Sequence, residues 1–320
     1  MRIAFLGNFQ VPYSSENHHK ATLEEMGHEI IHIQENSRIN TDQIYNIAAN
    51  SDLFIWIHTH GWSNPGTQTI KDMTEVLRLL KGKTTTISYH LDLWHGLERQ
   101  KDLTNDGFYL AIEHFFVTDK LMSDWFNEKT DVKGHYLPAA VFGPEVYQHD
   151  NPSGGNDVIF VGSKGYHPEW PYRPKLINWL REEYGSRFTH VGGDGDTGTV
   201  RGDRLNALYA DSKVSIGDTL CIGYDYPYYF SDRLFESIGR GGFTIFPYIK
   251  GLEDNFELGK ELITYEYDNF DQLKELVDYY CSHDEEREEI RKAGFERVKK
   301  DHTYKNRWQT ILRELGLEES

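Results

Sequence analysis

Two short stretches carry imidazoles and a carboxylate at a spacing that suits proton transfer: "HTHGW" at 58–62 and "YHLDLWHG" at 89–96. A hydroxyl attacking an electrophilic carbon gains from a carboxylate or imidazole within hydrogen-bond reach, and Asp92 with His90, His58 or His60 could supply that general base. Each of these residues also has an ordinary structural reading, as a polar group satisfied within the fold. The same four could ligate zinc or another divalent ion, because His-x-His beside a further His and a carboxylate can build a metal site; that would make the chain a metal-dependent hydrolase. Trp62 and Trp94 nearby suit stacking on a sugar ring or a base, and His18 and His19 form a lesser pair. A third stretch, "YYFSDRLFESIGRGGFTIFP" at 228–247, holds Asp232, Arg233 and Glu236 within a few residues of a strand. Its Leu234, Phe235 and Ile238 have the spacing of a helix resting on a core.

Those residues need elements to hold them. Short apolar runs such as "RIAFL", "HEIIHI", "LFIWIH" and "TTTISYH" alternate with amphipathic helical stretches, one closing at Gly27 and another at Gly82. Repeated β-α alternation implies a parallel sheet with helices on both faces. The rhythm breaks at "AVFGPEVYQHDNPSGGND", residues 140–157, and restarts at "VIFVGS". The expected organisation is a first Rossmann-like domain over 1–139, a linker over 140–157, and a second Rossmann-like domain over 158–303. The remaining helix, 304–320, carries Tyr304, Trp308, Ile311 and Leu312 as an apolar stripe that could return to the first domain. Two such domains place a cleft between them, with the carboxyl ends of both sheets facing it.

In a parallel α/β domain a helix starts at the carboxyl edge of the sheet, so Ser231, Asp232 and Arg233 would face that cleft. Free N–H groups and the helix dipole favour a phosphate there; Arg233 could add a charge-assisted contact, and Glu236 could accept hydrogen bonds from a ribose diol. A capped helix start with a solvent-facing Arg/Glu pair at i, i+3 accounts for the same residues without a ligand.

Composition narrows the classes. The 320 residues are 38% hydrophobic and 14% aromatic, enough for globular cores. With 34 Lys plus Arg against 51 Asp plus Glu the formal charge is −17, which disfavours non-specific binding to phosphate backbones and anionic membranes. Cys221 and Cys281 are the two cysteines and form no Cys-x-x-Cys pair, so they read as buried free thiols. The N-terminal apolar run reads as a first strand and not a signal peptide, and no 18 apolar residues occur in a row. A cytoplasmic protein without stable membrane insertion is expected.

"SDRLFESIGRGGFTIFPYIKGLEDNF", followed by "EYDNFDQLKELVDYYCSHDEEREEIRKAGFERVKKDHTYKNRW", resembles the donor-binding part of group 1 glycosyltransferases of the GT-B fold. It is most similar to the subgroup related to spore-maturation glycosyltransferases, through its Arg-x-Phe/Leu-Glu, its Gly-Gly-hydrophobic turn and its closing His-Thr-Tyr-x-x-Arg. "YLPAAVF", "NDVIFVGSKGY" and "YRPKLINWL" resemble the same group's interdomain pattern, and "MGHEI" is like the "GHEV" after its first helix.

The resemblance implies transfer of a sugar from a nucleotide-sugar donor to a hydroxyl acceptor. Glu236 would contact the donor ribose, Gly162 and Ser163 would line the diphosphate loop, and Arg173 or Arg233 would neutralise the diphosphate. No metal and no cofactor is expected beyond the nucleotide sugar as co-substrate. Many retaining members carry a second glutamate eight positions before the ribose-binding one, where this chain has Tyr228, so the stereochemistry stays open. The acceptor is equally open among glycans, lipid-linked glycans, proteins, metabolites and a modified nucleobase, with DNA disfavoured by the charge. A non-catalytic nucleotide-sugar binder and a nucleotide-sugar epimerase are the other relatives of such a shape. Asp194-Gly195-Asp196 superficially matches the metal-binding Asp-x-Asp of the other glycosyltransferase fold, and equally a Gly/Asp-rich turn.

Overall fold

The computed structural model describes residues 1–35, 40–57, 68–91, 107–150, 155–165, 171–219 and 226–317. The chain divides into two compact units, one of Met1–Pro138 with Arg307–Ser320 and one of Ala139–Asn306. No described helix is long and apolar enough to cross a membrane.

The first unit runs β1 (Arg2–Gly7), α1 (Ser15–Glu25), β2 (Glu29–Gln34), α2 (Thr41–Ala48), β3 (Leu53–Trp56), α3 (Met73–Leu80), β4 (Thr85–His90), β5 (His114–Val117), α4 (Lys120–Lys129) and β6 (Lys133–Tyr136). Its strands form one sheet in the order β2-β1-β3-β4-β5-β6, with every pairing parallel. Residues of both parities are buried in β1 and β3, as a sheet covered on two faces requires. Leu6, Phe54, Trp56, Leu77 and Phe115 pack on one face, and Ile3, Phe5, Ile55, Tyr89 and Phe116 on the other. The second face is completed by Trp308, Ile311 and Leu312, all buried. Trp308 Nε1–H donates to His19 Nδ1 at 3.1 Å.

The second unit runs β7 (Asn156–Val161), α5 (Tyr172–Tyr184), β8 (Phe188–Val191), α6 (Asp203–Asp211), β9 (Ser212–Ile216), α7 (Asp232–Gly239), β10 (Thr244–Pro247), β11 (Ile263–Tyr265), α8 (Phe270–Ser282) and α9 (Asp284–Asp301), and α10 (Tyr304–Glu314) follows. Its parallel sheet has the order β11-β10-β9-β7-β8. Residues 141–148 are held on this unit: Val141 pairs with Thr303, and the Asn206 side chain donates to the carbonyls of Glu145 and Tyr147 at 2.8 and 2.9 Å. The buried Arg240 completes the clamp on Asn206 and the Glu145 carboxylate.

Two helix boundaries depart from the sequence pattern. The stretch 67–82 reads as one helix, yet α3 begins at Met73, because the Asp42 carboxylate captures the N–H groups of Thr69 and Ile70 and Asp72 then caps Glu75. The charged tail breaks at 302–303, where Thr303 and Asn306 cap each other and restart the helix as α10.

Candidate functional site

In an open parallel sheet the ligand crevice opens where strand order reverses, beyond the carboxyl ends of the two diverging strands. In the second unit the chain moves from β7 outward to β8 and then back to β9 on the other side, so the reversal lies between β7 and β9. The residues ending these strands are Gly162–Ser163 and Gly217–Asp218.

The turn after β7 is a fixed object. The Asp194 carboxylate accepts the N–H groups of Lys164 and Gly165, both at 3.0 Å, and the Gly162 carbonyl lies 2.7 Å from His190 Nε2, which therefore carries the proton. Burial pushes the Asp194 carboxyl up, but the donated N–H groups more than offset it and leave it below its usual range. Gly192 allows β8 to end against this turn: a Cβ there would stand 2.5 Å from the Gly162 carbonyl oxygen. Asp196 accepts the His190 N–H at 2.9 Å and pairs with Arg181 at 3.0 Å. Both carboxylates of Asp194-Gly195-Asp196 therefore brace the backbone, the turn reading of that motif.

Arg173, in the first turn of α5, reaches across to the end of β9. Its Nε and Nη2 donate to the two Asp218 oxygens at 2.8 and 3.0 Å, and its Nη1 donates to the Ser163 carbonyl at 3.1 Å. The side chains are 11% and 2% exposed, so this fork-to-fork pair is desolvated and rigid. The Asp218 carbonyl accepts the Ser231 hydroxyl at 3.1 Å. One residue thus ties together the starts of α5 and α7 and the end of β9. Sequence reasoning missed Asp218; the available signal was an acid directly after the apolar strand "KVSIG".

Ser231 occupies the N-cap position of α7 in extended backbone conformation, but with its hydroxyl turned to Asp218 it makes no side-chain cap. The helix buries Leu234, Phe235 and Ile238 and leaves Arg233 and Glu236 on its other side, about a quarter exposed and paired at 2.9 Å. Burial works against the Arg233 charge, yet Glu236, the Tyr209 hydroxyl and Asp232 hold its pKa above the ordinary arginine value. The i, i+3 ion pair of the ligand-free reading is therefore present, and its Glu236 oxygens face a fixed cation. Tyr228 sits in the left-handed region at φ 59°, its N–H bonded to the Lys250 carbonyl at 2.8 Å. The structure thus gathers Gly162, Ser163, Arg173 and Ser231 around Asp218, with Arg233 and Glu236 in the first turns of the helix that Ser231 opens.

In the first unit the order reverses between β1 and β3. His58 and His60 follow the end of β3 but lie, like Asp92, Trp62 and Trp94, outside the described residues, as does Cys221. His90, the last residue of β4, is buried on the face of Phe115, 6.3 Å ring to ring. β4 pairs with β3, so the two histidine-bearing strand ends are neighbours. His19 is no ligand: it is fully buried, and burial followed by the His18 charge pushes its pKa down to about 3, so it serves as a neutral acceptor for Trp308. Cys281 is a free buried thiol, raised by burial. Among the described residues no three His, Cys, Asp or Glu side chains gather as a metal site would need.

Residues 173–313 match the family model described as glycosyl transferase-like. No curated protein matches the chain. Among solved structures, sucrose-phosphate synthase from Thermosynechococcus elongatus is similar at a TM-score of 0.62 and 11% identity, with 99% of each chain covered. Anabaena HepE in complex with UDP and glucose is similar at 0.65 and 11%, again covering 99% of each chain. An alpha-glucosyltransferase in complex with UDP-glucose and DNA containing an abasic site is similar at 0.66 and 11%, with 99% of both chains covered. The fold is the two-domain Rossmann-like GT-B architecture.

Proposed function

We propose that this chain is a glycosyltransferase that moves a sugar from a nucleotide-sugar donor to a hydroxyl acceptor. The observation that carries this reading is the Arg173–Asp218–Ser231 assembly at the strand-order reversal of the second sheet, within the residues that match the glycosyl transferase-like model. Around it the Gly162–Ser163 turn, which Arg173 fixes through the Ser163 carbonyl, the Arg233 guanidinium and the uncapped start of α7 suit a diphosphate, whose charge grows as the glycosidic carbon–oxygen bond breaks. Glu236 accepts from the ribose diol while Arg233 holds its carboxylate in place. The similar structures that hold UDP or UDP-glucose favour uridine diphosphate as the first nucleotide to test.

In the first unit Asp92 takes the acceptor proton as the acceptor oxygen attacks the anomeric carbon, with His58, His60 or His90 as the alternative base.

Calorimetric titration with UDP, GDP, ADP and dTDP, each with and without EDTA, tests the donor half. One of the four should bind in EDTA, Glu236→Ala should weaken it, and Arg233→Ala should weaken it more because a cation is lost. Binding that requires a divalent metal and ignores both substitutions would overturn the reading. Asp92→Asn tests the acceptor half: nucleotide affinity stays, and turnover falls on the order of 10²- to 10⁴-fold.

A further inference from the structure

The loop after β1, residues 8–14, lies at the strand-order reversal of the first sheet, and it is braced by far more polar contacts than a surface turn needs. The Asn8 N–H donates to Glu16 Oε1 at 3.2 Å, the Phe9 N–H to Gln34 Oε1 at 2.8 Å, and Gln34 Nε2 to Asn8 Oδ1 at 3.3 Å. Asn17 Nδ2 donates to the carbonyls of Phe9 and Val11 at 3.1 and 2.8 Å, and the Ser14 hydroxyl to the Asn8 carbonyl at 2.7 Å. Glu16 is buried, and its side chain fits because position 7 is glycine: a Cβ there would meet Glu16 Cγ at 2.7 Å. Phe9 anchors the base of the loop against Phe5, ring centroids 5.1 Å apart.

The base of the loop packs on the core, but the tip that the bracing holds faces water. Val11 and Tyr13 are 48% and 58% exposed, and Pro12 between them is exposed too. A rigid scaffold that presents a proline and an aromatic ring at the carboxyl edge of a parallel sheet has the features of a recognition surface. No lysine or arginine lies between residues 3 and 19, and the whole chain carries −17, a balance that disfavours a polyanion. An uncharged ring with one apolar face and hydroxyls at its edge fits this surface: the ring can lie on Tyr13 and the hydroxyls can meet the exposed Gln10.

We propose that the 10–13 segment is the acceptor platform, with Tyr13 stacking on the apolar face of a neutral sugar ring, so that the acceptor is an uncharged saccharide and not a nucleic acid. This rests on the glycosyltransferase reading above. The test uses the full chain with UDP present and saturation-transfer NMR on a probe set of cellobiose, maltose, lactose and chitobiose, beside a duplex DNA oligonucleotide. At least one neutral saccharide should show ring-proton contact. Its affinity should fall roughly tenfold in Tyr13→Ala, of the order an aromatic stack contributes, and be kept in Tyr13→Phe. Affinity for the nucleotide should be unchanged in both variants, which also reports that they are folded. Contact from no neutral saccharide, contact from the duplex alone, or equal saccharide affinity in Tyr13→Ala would each overturn the platform. If none of UDP, GDP, ADP and dTDP binds the unaltered chain, the glycosyltransferase reading falls instead.

Discussion

Asp218→Asn isolates the assembly on which the donor site rests. The amide keeps one acceptor oxygen for Arg173 but loses the charge and the second acceptor, while the guanidinium stays 11% exposed against the Ser163 carbonyl. Removing one partner of a buried ion pair costs about 3–5 kcal/mol, chiefly because the other charge is left uncompensated. For a unit of about 170 residues each kcal/mol shifts the midpoint by about 2–4 °C, so the transition of the second unit should fall by roughly 6–20 °C. Differential scanning calorimetry of the full chain, with and without saturating UDP, identifies that transition as the one the nucleotide raises. The paired change Arg173→Met with Asp218→Leu should recover most of the lost stability, since a well-packed apolar pair can replace a buried ion pair, but not the nucleotide affinity. An Asp218→Asn midpoint within 2 °C of the unaltered chain would refute the account of Asp218 as the tie between α5, β9 and α7. So would a double variant that melts no higher than the single one.

Gly192→Ala pushes a methyl group towards the Gly162 carbonyl oxygen and should destabilise the second unit by about 1–3 kcal/mol while weakening UDP in calorimetric titration; unchanged affinity would detach that turn from the donor. Trp308→Ala, at a fully buried position in the first unit's core, should cost about 3–5 kcal/mol and lower that unit's transition while leaving UDP affinity below it intact. The depressed pKa of His19, about 3 against 6.5, sets a pH dependence with a definite sign. As pH falls below about 6.5 the unfolded chain takes up a proton that the folded chain refuses, so stability drops by about 1.4 kcal/mol per pH unit and levels off only near the folded value. His114, lowered to about 4 by burial and by His135, adds to the same slope. Urea midpoints between pH 7 and pH 5 should show a shallower decline in His19→Gln, and an identical one would remove His19 from the effect.

The β-α alternation was legible because most strands are short apolar runs and several helices close on glycine, both local signals; β6, Lys-Gly-His-Tyr, lacks the first. The Arg233–Glu236 pair was legible for the same reason, its partners being three positions apart. What the residue order could not carry was sheet order. That β9 returns beside β7 is decided by packing, and with it the 45-residue reach from Arg173 to Asp218. The late start of α3 fails to show for a similar cause, since Asp42 takes the N–H groups of residues 27 and 28 positions away. His19 looked like a polar residue on a helix, and its role depends on Trp308, 289 positions on. The β1–α1 loop reads as plain polar sequence because its braces are amides and hydroxyls whose pairing only the folded backbone defines.

The first unit is built from both ends of the chain, the second from one continuous run. On a ribosome adding about 5–20 residues per second, Trp308, Ile311 and Leu312 emerge on the order of tens of seconds after β1. Through that interval the sheet face formed by Ile3, Phe5, Ile55 and Tyr89 lacks its cover, while the second unit already has all its strands. The half of the molecule synthesised first is therefore the half that finishes folding last.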